Sequence, residues 1–319
     1  MLRFLLRRLV GAIAVLFAIS VLVFLIFNVV PATNPAQRIA GKNATPTLIK
    51  NVEQEWGFDK PLPAQYWTQM KLIFTGKVTS YSQAHINIDK RILEGIPATA
   101  SLCIGAAVIW LTFGILFGYL SAIRAGGFTD RALTVLALIG ISMPVFWLAS
   151  ILLYYFTYKI KLFPPSGYEP LSNPGQWFTH LILPWITLAV LFAGFYSRVL
   201  RSSMLDVMNE DYVRTARAKG LNHRRVMTRH VLRNSLIPVV TLFGLDFGAV
   251  IGGGAIVTEY LFNIEGVGLF TAEALKQQDF PSIMAVTIFG AFFIVLFNTL
   301  VDVAYAYLDP RIRLGTSAA

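Results

Sequence analysis

Acidic residues are scarce in this chain: 17 aspartates and glutamates stand against 27 lysines and arginines in 319 residues, and charged side chains of both signs make up only 14%. A soluble domain carries roughly 25% charged residues, so an ordinary soluble globular fold is excluded. Cysteine is almost missing. The single Cys103 lies in an apolar run, which leaves neither a disulfide framework nor a cysteine-based metal site. Histidine is nearly as rare, with four in all. His223 and His230 are spaced for separate faces or for solvent, and no glutamate joins them in a zinc-binding pattern. A glycine-rich phosphate loop ending in Lys-Ser or Lys-Thr is also lacking. The chain therefore carries no enzyme signature, and neither metal nor bound cofactor is expected on it.

What is present is apolar: 55% of the residues are hydrophobic, gathered in long runs. A helix that crosses about 30 Å of hydrocarbon needs about 20 mostly apolar residues, at about 1.5 Å of rise each. Six segments qualify: Leu9 to Val30, Pro97 to Ile123, Ala132 to Tyr158, roughly Leu181 to Val199, Ile237 to Val257 and Ile283 to Tyr307. The first is apolar apart from Ser20 and Asn28. The second opens on a proline, whose missing N–H is harmless in a first turn. Pro144 and Pro184 should kink the third and fourth. Arg3, Arg7 and Arg8 ahead of the first run also fit a secretory signal peptide. That run exceeds the usual apolar core of about 7 to 15 residues, however, and Val30-Pro31-Ala32 is a poor cleavage site, so it is read as a retained helix. The fold class is an all-α membrane protein.

Lysine and arginine set the orientation. The N-terminal tip, the Arg124 to Arg131 turn, the Arg198 to Arg233 segment and the C-terminal Arg311 and Arg313 share one side and hold most of the positive charge. Only Asp130, Asp206, Glu210, Asp211 and Asp309 oppose them, while the other side is close to neutral. Both termini are thus expected in the cytoplasm. Because topology accounts for the net charge of +10, nucleic acid is not needed as a partner.

Outside the bilayer, residues 31–96 hold Trp56, Phe58, Tyr66, Trp67 and Phe74, too many aromatics for a flexible linker. A small extracytoplasmic cap or interfacial helices is expected, either as a lid on the helix ends or as a contact for a delivery protein. Asn43-Ala44-Thr45 fits a glycosylation sequon, a pattern too short to carry weight. The second outer loop, KLFPPSGYEPLSNPGQW, should be irregular. The third, Glu259 to Pro281, combines Gly266 and Gly268 with Tyr260, Phe262 and Phe270 and reads as a compact plug, a re-entrant turn or an ordinary connector.

Between the fourth and fifth spans the chain changes character: DYVRTARAKGLNHRRVMTRHVLRN, Asp211 to Asn234, gathers seven basic residues around Gly220. Met204, Val207, Met208, Tyr212 and Thr215 recur at helical spacing up to Gly220, the residue best suited to a left-handed helix end. Asn222 can cap a second helix running through Val226, Met227, His230 and Val231. Ala216 and Ala218 would let a partner backbone come close. Anionic lipid headgroups or the ordinary cytoplasmic charge excess also explain the arginines, but neither predicts a glycine break flanked by alanines.

This segment resembles the cytoplasmic Glu-Ala-Ala signature of permease subunits in bacterial binding-protein-dependent ABC importers, in the variant of the dipeptide, oligopeptide and nickel group. Arg214-Thr215-Ala216 fills the place of Glu-Ala-Ala, Gly220 is its glycine, and Pro238 stands where that group carries its proline. The start MLRFLLRRLV, the stretch Trp56 to Pro63, GIPATASL, ISMPVFWLA and DVAYAYLDPRIRLG are similar to the same family. Glu265 departs from it, since a proline is common there, which bears on the shape of the outer turn.

The resemblance implies the type I ABC importer (MetI-like) permease fold with six transmembrane helices. Residues 1–30 would form the N-terminal tip and first helix, 31–96 the cap, 97–308 a five-helix core with a coupling loop at 201–236, and 309–319 a tail. It further implies that Asp211, Tyr212, Arg214, Thr215, Ala216, Arg217, Ala218, Gly220 and Leu221 couple to a cytoplasmic ATPase. Partners would be a second homologous permease, two ATP-binding subunits, an extracytoplasmic substrate-binding protein and a peptide, within a lipid bilayer. ATP and Mg would sit on the partner subunits. Nickel or a glutathione-like substrate is the alternative, and a non-transporting scaffold or sensor a remoter one.

Within the apolar spans, Asp246 and Asp302 must face protein or a watery path, because a charge at a helix centre costs at least about 2.5 to 3.5 kcal/mol. Asp246 fits either a cavity residue attracting a peptide amino end or a hydrogen-bonded structural role. For Asp302, beside the terminal motif, the structural role is expected. Gly252, Gly253 and Glu259 are further candidates for the translocation path, with Gly248 and Gly254 near them. The glycines serve a bending gate or plain close packing.

Overall fold

The apolar runs become helices in a computed structural model that describes residues 2–29, 34–41, 44–80 and 86–308, the side chains of 2–5 and 304–308 excepted. Pro31, the sequon position Asn43 and the tail with Asp309, Arg311 and Arg313 lie outside the described residues. Among the described residues, five helices are long and apolar enough to cross a membrane, and a sixth span is made if one bent pair counts as a single crossing. By contact, the chain divides into two units: residues 1–100 with 248–319, and residues 101–247.

In the first unit α1 (Leu2–Phe24) continues as a π-helical turn over Leu25–Val29 and packs against α14 (Phe280–Leu308). The expected cap consists of three short helices, α2 (Pro35–Ala40), α3 (Pro46–Trp56) and α4 (Leu62–Phe74). Each has a proline in its first turn, and Asn34 and Thr45 cap α2 and α3 by accepting from the Ala36 and Leu48 N–H groups. The cap encloses Ala36, Ile39, Val52, Trp56, Tyr66, Met70 and Ile73, continuous with Phe24 of α1 and Met284 of α14. The two polar exceptions of the first span find their reason here. Ser20 Oγ lies 2.7 Å from the Tyr66 hydroxyl, and Asn28 Nδ2 donates to Gln69 Oε1 at 3.0 Å. Buried polar groups in an apolar span are tolerable when paired in this way.

The second span differs from expectation at its start. Helix α5 runs Ile88–Ile123, so Pro97 lies inside it rather than in its first turn. The third span is not merely kinked. Helix α6 (Phe128–Ser142) and the segment Val145–Lys159, made of α7 (Val145–Leu152) and a π-helical stretch Leu153–Lys159, meet at 101°. Pro144 excludes its predecessor from helical geometry, and Met143 is extended with φ −77 and ψ 122.

The second unit is built around α8 (Pro174–Val207), which contains Pro184 and packs along α6 and α7. Its aromatic core places Trp110 beside Phe192, Tyr196, Phe243 and Phe247. Trp185 donates its indole N–H to the Ser101 carbonyl at 3.0 Å, and a Cβ on Gly105 would fall 2.1 Å from that ring. Glycine is therefore the residue that lets the indole reach the backbone. After α9 (Asp211–Ala218), one helical segment runs from His223, unbroken as far as Gly252, through α10 (His223–Arg225), a π-helical stretch Val226–Leu232, α11 (Arg233–Ala249) and a second π-helical turn Val250–Gly254 that is interrupted at Gly253. The second helix of the basic loop and the fifth span are thus one element.

Beyond it in the chain, in the first unit, the segment between the fifth and sixth spans folds as α12 (Ile256–Phe262), a turn at Asn263, and α13 (Val267–Gln277). It is a helical hairpin with Phe262, Ile264 and Phe270 buried.

Candidate functional site

Helix α9 does not continue α8. A turn at Met208, Asn209 and Glu210 separates them, so the face expected to run unbroken from Met204 to Gly220 is interrupted. The break re-aims the chain, and α9 then packs on the π-helical stretch Val226–Leu232. Val213 and Ala216 are buried on its inner side, three residues apart as helical neighbours must be. Ala216 therefore meets this chain's own next helix and not an outside backbone. Tyr212 extends the inner contact by accepting a hydrogen bond from Asn234 Nδ2 at 2.7 Å.

The outward side carries Asp211, Arg214, Thr215, Arg217, Ala218, Lys219 and Gly220, all exposed, with Leu221 half-buried. Arg214 reaches Asp211 at 3.4 Å, a solvated contact that leaves the guanidinium largely in water. Gly220 closes the helix at φ 74, a left-handed conformation unfavourable for residues with a Cβ, although no atom would obstruct one. Asn222 then accepts from the Arg224 N–H at 3.0 Å and starts the next helix. The element is a short, basic, externally presented helix fixed at both ends: by the Met208–Glu210 turn to α8, and by Gly220 and Asn222 to the fifth span.

Of the candidates for a translocation path, Gly252, Gly253 and Glu259 line one cavity of the first unit, and Asp246 belongs to the second unit. Asp246 and Tyr196 pair within the second unit, where the Tyr196 hydroxyl donates to Asp246 Oδ2 at 2.7 Å. Tyr196 is fully buried and Asp246 half-buried. In the first unit, Gly252 allows a backbone crossing. A Cβ there would lie 2.8 Å from the Gly290 carbonyl oxygen on α14, and one on Gly290 would lie 2.2 Å from the Gly252 oxygen. Gly253, at φ 159 and ψ −14, breaks the helix outright. Behind that break is a cavity of about 300 Å³ lined in part by Thr99, Glu259, Thr271 and Thr287.

Glu259 is wholly buried and holds the α12–α13 hairpin together. Its Oε1 accepts from the Thr99 hydroxyl at 2.7 Å and its Oε2 from the Leu269 N–H at 3.0 Å, with the Gly268 N–H also directed at the carboxylate. Thr99 in turn accepts from the Val267 N–H at 2.9 Å. The three N–H groups that open α13 are thus satisfied by side chains from α5 and α12, which is what a helix start without a local cap needs. Burial pushes the Glu259 carboxyl up to about 7, partly offset by the donors of Thr99, Leu269 and Gly268. Asp302 pairs with Arg8 at 2.8 Å, a structural contact between α14 and α1.

One buried group escaped sequence reasoning. Asp130, 4% exposed, forms a two-pronged ion pair with Arg201, Nε to Oδ1 at 2.6 Å and Nη2 to Oδ2 at 2.8 Å. The Ser121 hydroxyl and the Gly126 N–H also donate to this carboxylate. In the sequence both ionic residues read only as part of the charge balance. The available signal was an arginine well inside the last turns of an apolar helix.

Among the described residues, five or six long apolar helices, joined by short exposed basic and buried apolar segments, define a multi-span membrane component. Residues 114–314 match the family model for the binding-protein-dependent transport system inner membrane component, and residues 1–103 match the model of its N-terminal region. The chain belongs to this family. It is 38% identical to a protein of Sinorhizobium fredii named a "probable peptide ABC transporter permease protein", over 97% of this chain and 99% of the relative. A glutathione transport system permease of Pectobacterium atrosepticum is 36% identical over 98% and 99%. A dipeptide transport system permease of Alkalihalophilus pseudofirmus is 35% identical over 98% and 100%.

Proposed function

We propose that this chain is one permease subunit of an ATP-driven importer of di- or oligopeptides, with α9 as the helix that docks on a cytoplasmic ATPase. The observation that carries the reading is α9 itself: its apolar side is consumed by the chain's own next helix, while its basic side and the Gly220 turn face outward. A helix that served only to lie on lipid would keep its apolar face free for the membrane. Here Val213 and Ala216 are not free. Arg214 and Arg217 would pair with the ATPase surface, and Asp211, Tyr212, Thr215, Ala218, Gly220 and Leu221 would shape the contact. Both termini lie in the cytoplasm in this reading, and the α2 to α4 cap is extracytoplasmic.

The remaining partners are a second permease, two ATPase subunits and an extracytoplasmic binding protein. ATP is hydrolysed on the ATPase subunits, and closure there is transmitted through α9 as a rigid element that both sides bias. The likeness to a glutathione permease keeps that tripeptide as a second reading of the cargo. Uptake of labelled di- and tripeptides into liposomes holding the full complex tests the proposal, with glutathione as competitor. Transport should require ATP and the binding protein and should vanish in Gly220→Pro, because proline cannot adopt φ 74. Unchanged transport in that variant would refute the docking role, and strong competition by glutathione would move the cargo assignment to the second reading.

A further inference from the structure

The Asp130–Arg201 ion pair has no part in the reading above, and its position gives it one. Arg201 lies in the last turns of α8, which ends at Val207, and α9 begins at Asp211. Asp130 stands in the first turn of α6. Its further donors come from Ser121, near the end of α5, and from Gly126 in the turn between α5 and α6. One buried carboxylate therefore gathers the ends of three helices at the end of the bundle from which α9 departs. Two guanidinium N–H groups, a hydroxyl and a backbone N–H supply its donors, so the buried carboxylate is tied in one orientation by a half-buried, two-pronged guanidinium.

The rest of the three-helix contact is equally tight. A Cβ on Gly118 of α5 would lie 2.7 Å from the Ser197 carbonyl oxygen, and one on Gly194 of α8 would lie 2.6 Å from the Ala137 carbonyl oxygen of α6. Backbones touch there with no side chain between them to yield. Sliding of α8 against α5 or α6 is opposed along the interface and at its end.

We propose that Asp130 and Arg201 are positioning residues for energy coupling: they lock the end of α8 to α5 and α6, so that a displacement of α9 moves the three helices as one body. This rests on the docking role of α9 proposed above. Helix α9 then has two outlets. One leads through Gly220 and Asn222 into the fifth span, and the other leads through the Met208–Glu210 turn into the bracketed body.

The test uses the complex purified with its ATPase subunits and binding protein, carrying spin labels at Phe128 and Ser202, both exposed. With Asp130 and Arg201 intact, the distance between the labels is narrow and equal in the nucleotide-free and ATP–vanadate-trapped states. In Asp130→Asn, which keeps size but removes the charge, the distribution broadens and shifts on trapping. ATP hydrolysis without binding protein persists, while its stimulation by binding protein falls by about 2- to 30-fold, the range that changes of 0.5–2 kcal/mol in coupling produce. Arg201→Lys, which keeps the charge but loses the fork, gives an intermediate loss. Full stimulation with an unaltered distance in Asp130→Asn overturns the proposal. So does a parallel loss of hydrolysis with and without binding protein, which is what a merely structural pair would give. Failure of the ATPase subunits to co-purify with the unaltered chain would instead sink the docking reading of α9, and is seen before any variant is made.

Discussion

Replacing Glu259 by glutamine separates the burial of a carboxyl group from the hydrogen bonds it makes. In the folded chain the carboxyl titrates near 7, against 4.5 when solvated. Because the folded value is the higher one, the folded state holds the proton more tightly. The acid form therefore imposes no ionisation penalty below about pH 4.5. Stability is then lost progressively as pH rises from there through 7, and the loss is complete above it. A difference between 4.5 and about 7 corresponds to about 3 kcal/mol. Glutamine is nearly isosteric with the protonated acid and cannot ionise, so Glu259→Gln should match the unaltered protein near pH 5 and exceed it in stability near pH 8.5. The assay is the thermal unfolding midpoint of the purified protein in detergent, measured across pH for both forms, because the difference between the curves removes every other titrating group. Parallel curves would refute the argument, showing that the carboxylate at the start of α13 is solvated or fully compensated by its donors.

Three further substitutions probe other parts of the structure. Gly118→Ala places a methyl group 2.7 Å from the Ser197 carbonyl oxygen, and overpacking of this kind costs about 1–3 kcal/mol; an unchanged melting midpoint would mean that α5 and α8 are not in backbone contact. Gly220→Ala meets no atom but must hold a left-handed backbone at a cost of about 1–2 kcal/mol, so uptake should fall only partly, in contrast to the loss in Gly220→Pro; equal loss in both would place the defect in size and not in backbone geometry. Tyr196→Phe removes the donor to Asp246 and should lower stability by about 1–3 kcal/mol, read as a lower midpoint, whereas no change would show that solvent replaces the hydroxyl.

The sequence made the spans legible because hydrocarbon thickness demands long apolar runs, and those runs announce themselves. Local chemistry was legible too. Gly220 ends α9 in the left-handed conformation expected of it, and Asn222 caps the next helix through its own side chain. Proline was read less well. Pro97 proved to lie within α5, and Pro144 gave a bend of 101° where a kink was expected, because packing on each side of a proline decides how far the helix turns. Long-range pairing was hidden. Glu259 was flagged for a path, yet its partner Thr99 is 160 residues away and no periodicity links them. Separations of 46 and 41 residues likewise hide why Ser20 and Asn28 interrupt an apolar span, since their partners are Tyr66 and Gln69. Ala216 illustrates the remaining limit. A small residue before a glycine bend fits an inner contact as well as an outer one, and the break at Met208–Glu210 turned it inward.

The central claim is that motion generated by an ATPase enters this chain through the outward side of α9. A photo-reactive amino acid introduced at Arg217, exposed on that side, measures this in the assembled complex. Adducts with an ATP-binding subunit, changing in yield when the complex is trapped with ATP and vanadate, are the predicted result. Adducts with lipid alone, in every nucleotide state, would contradict it.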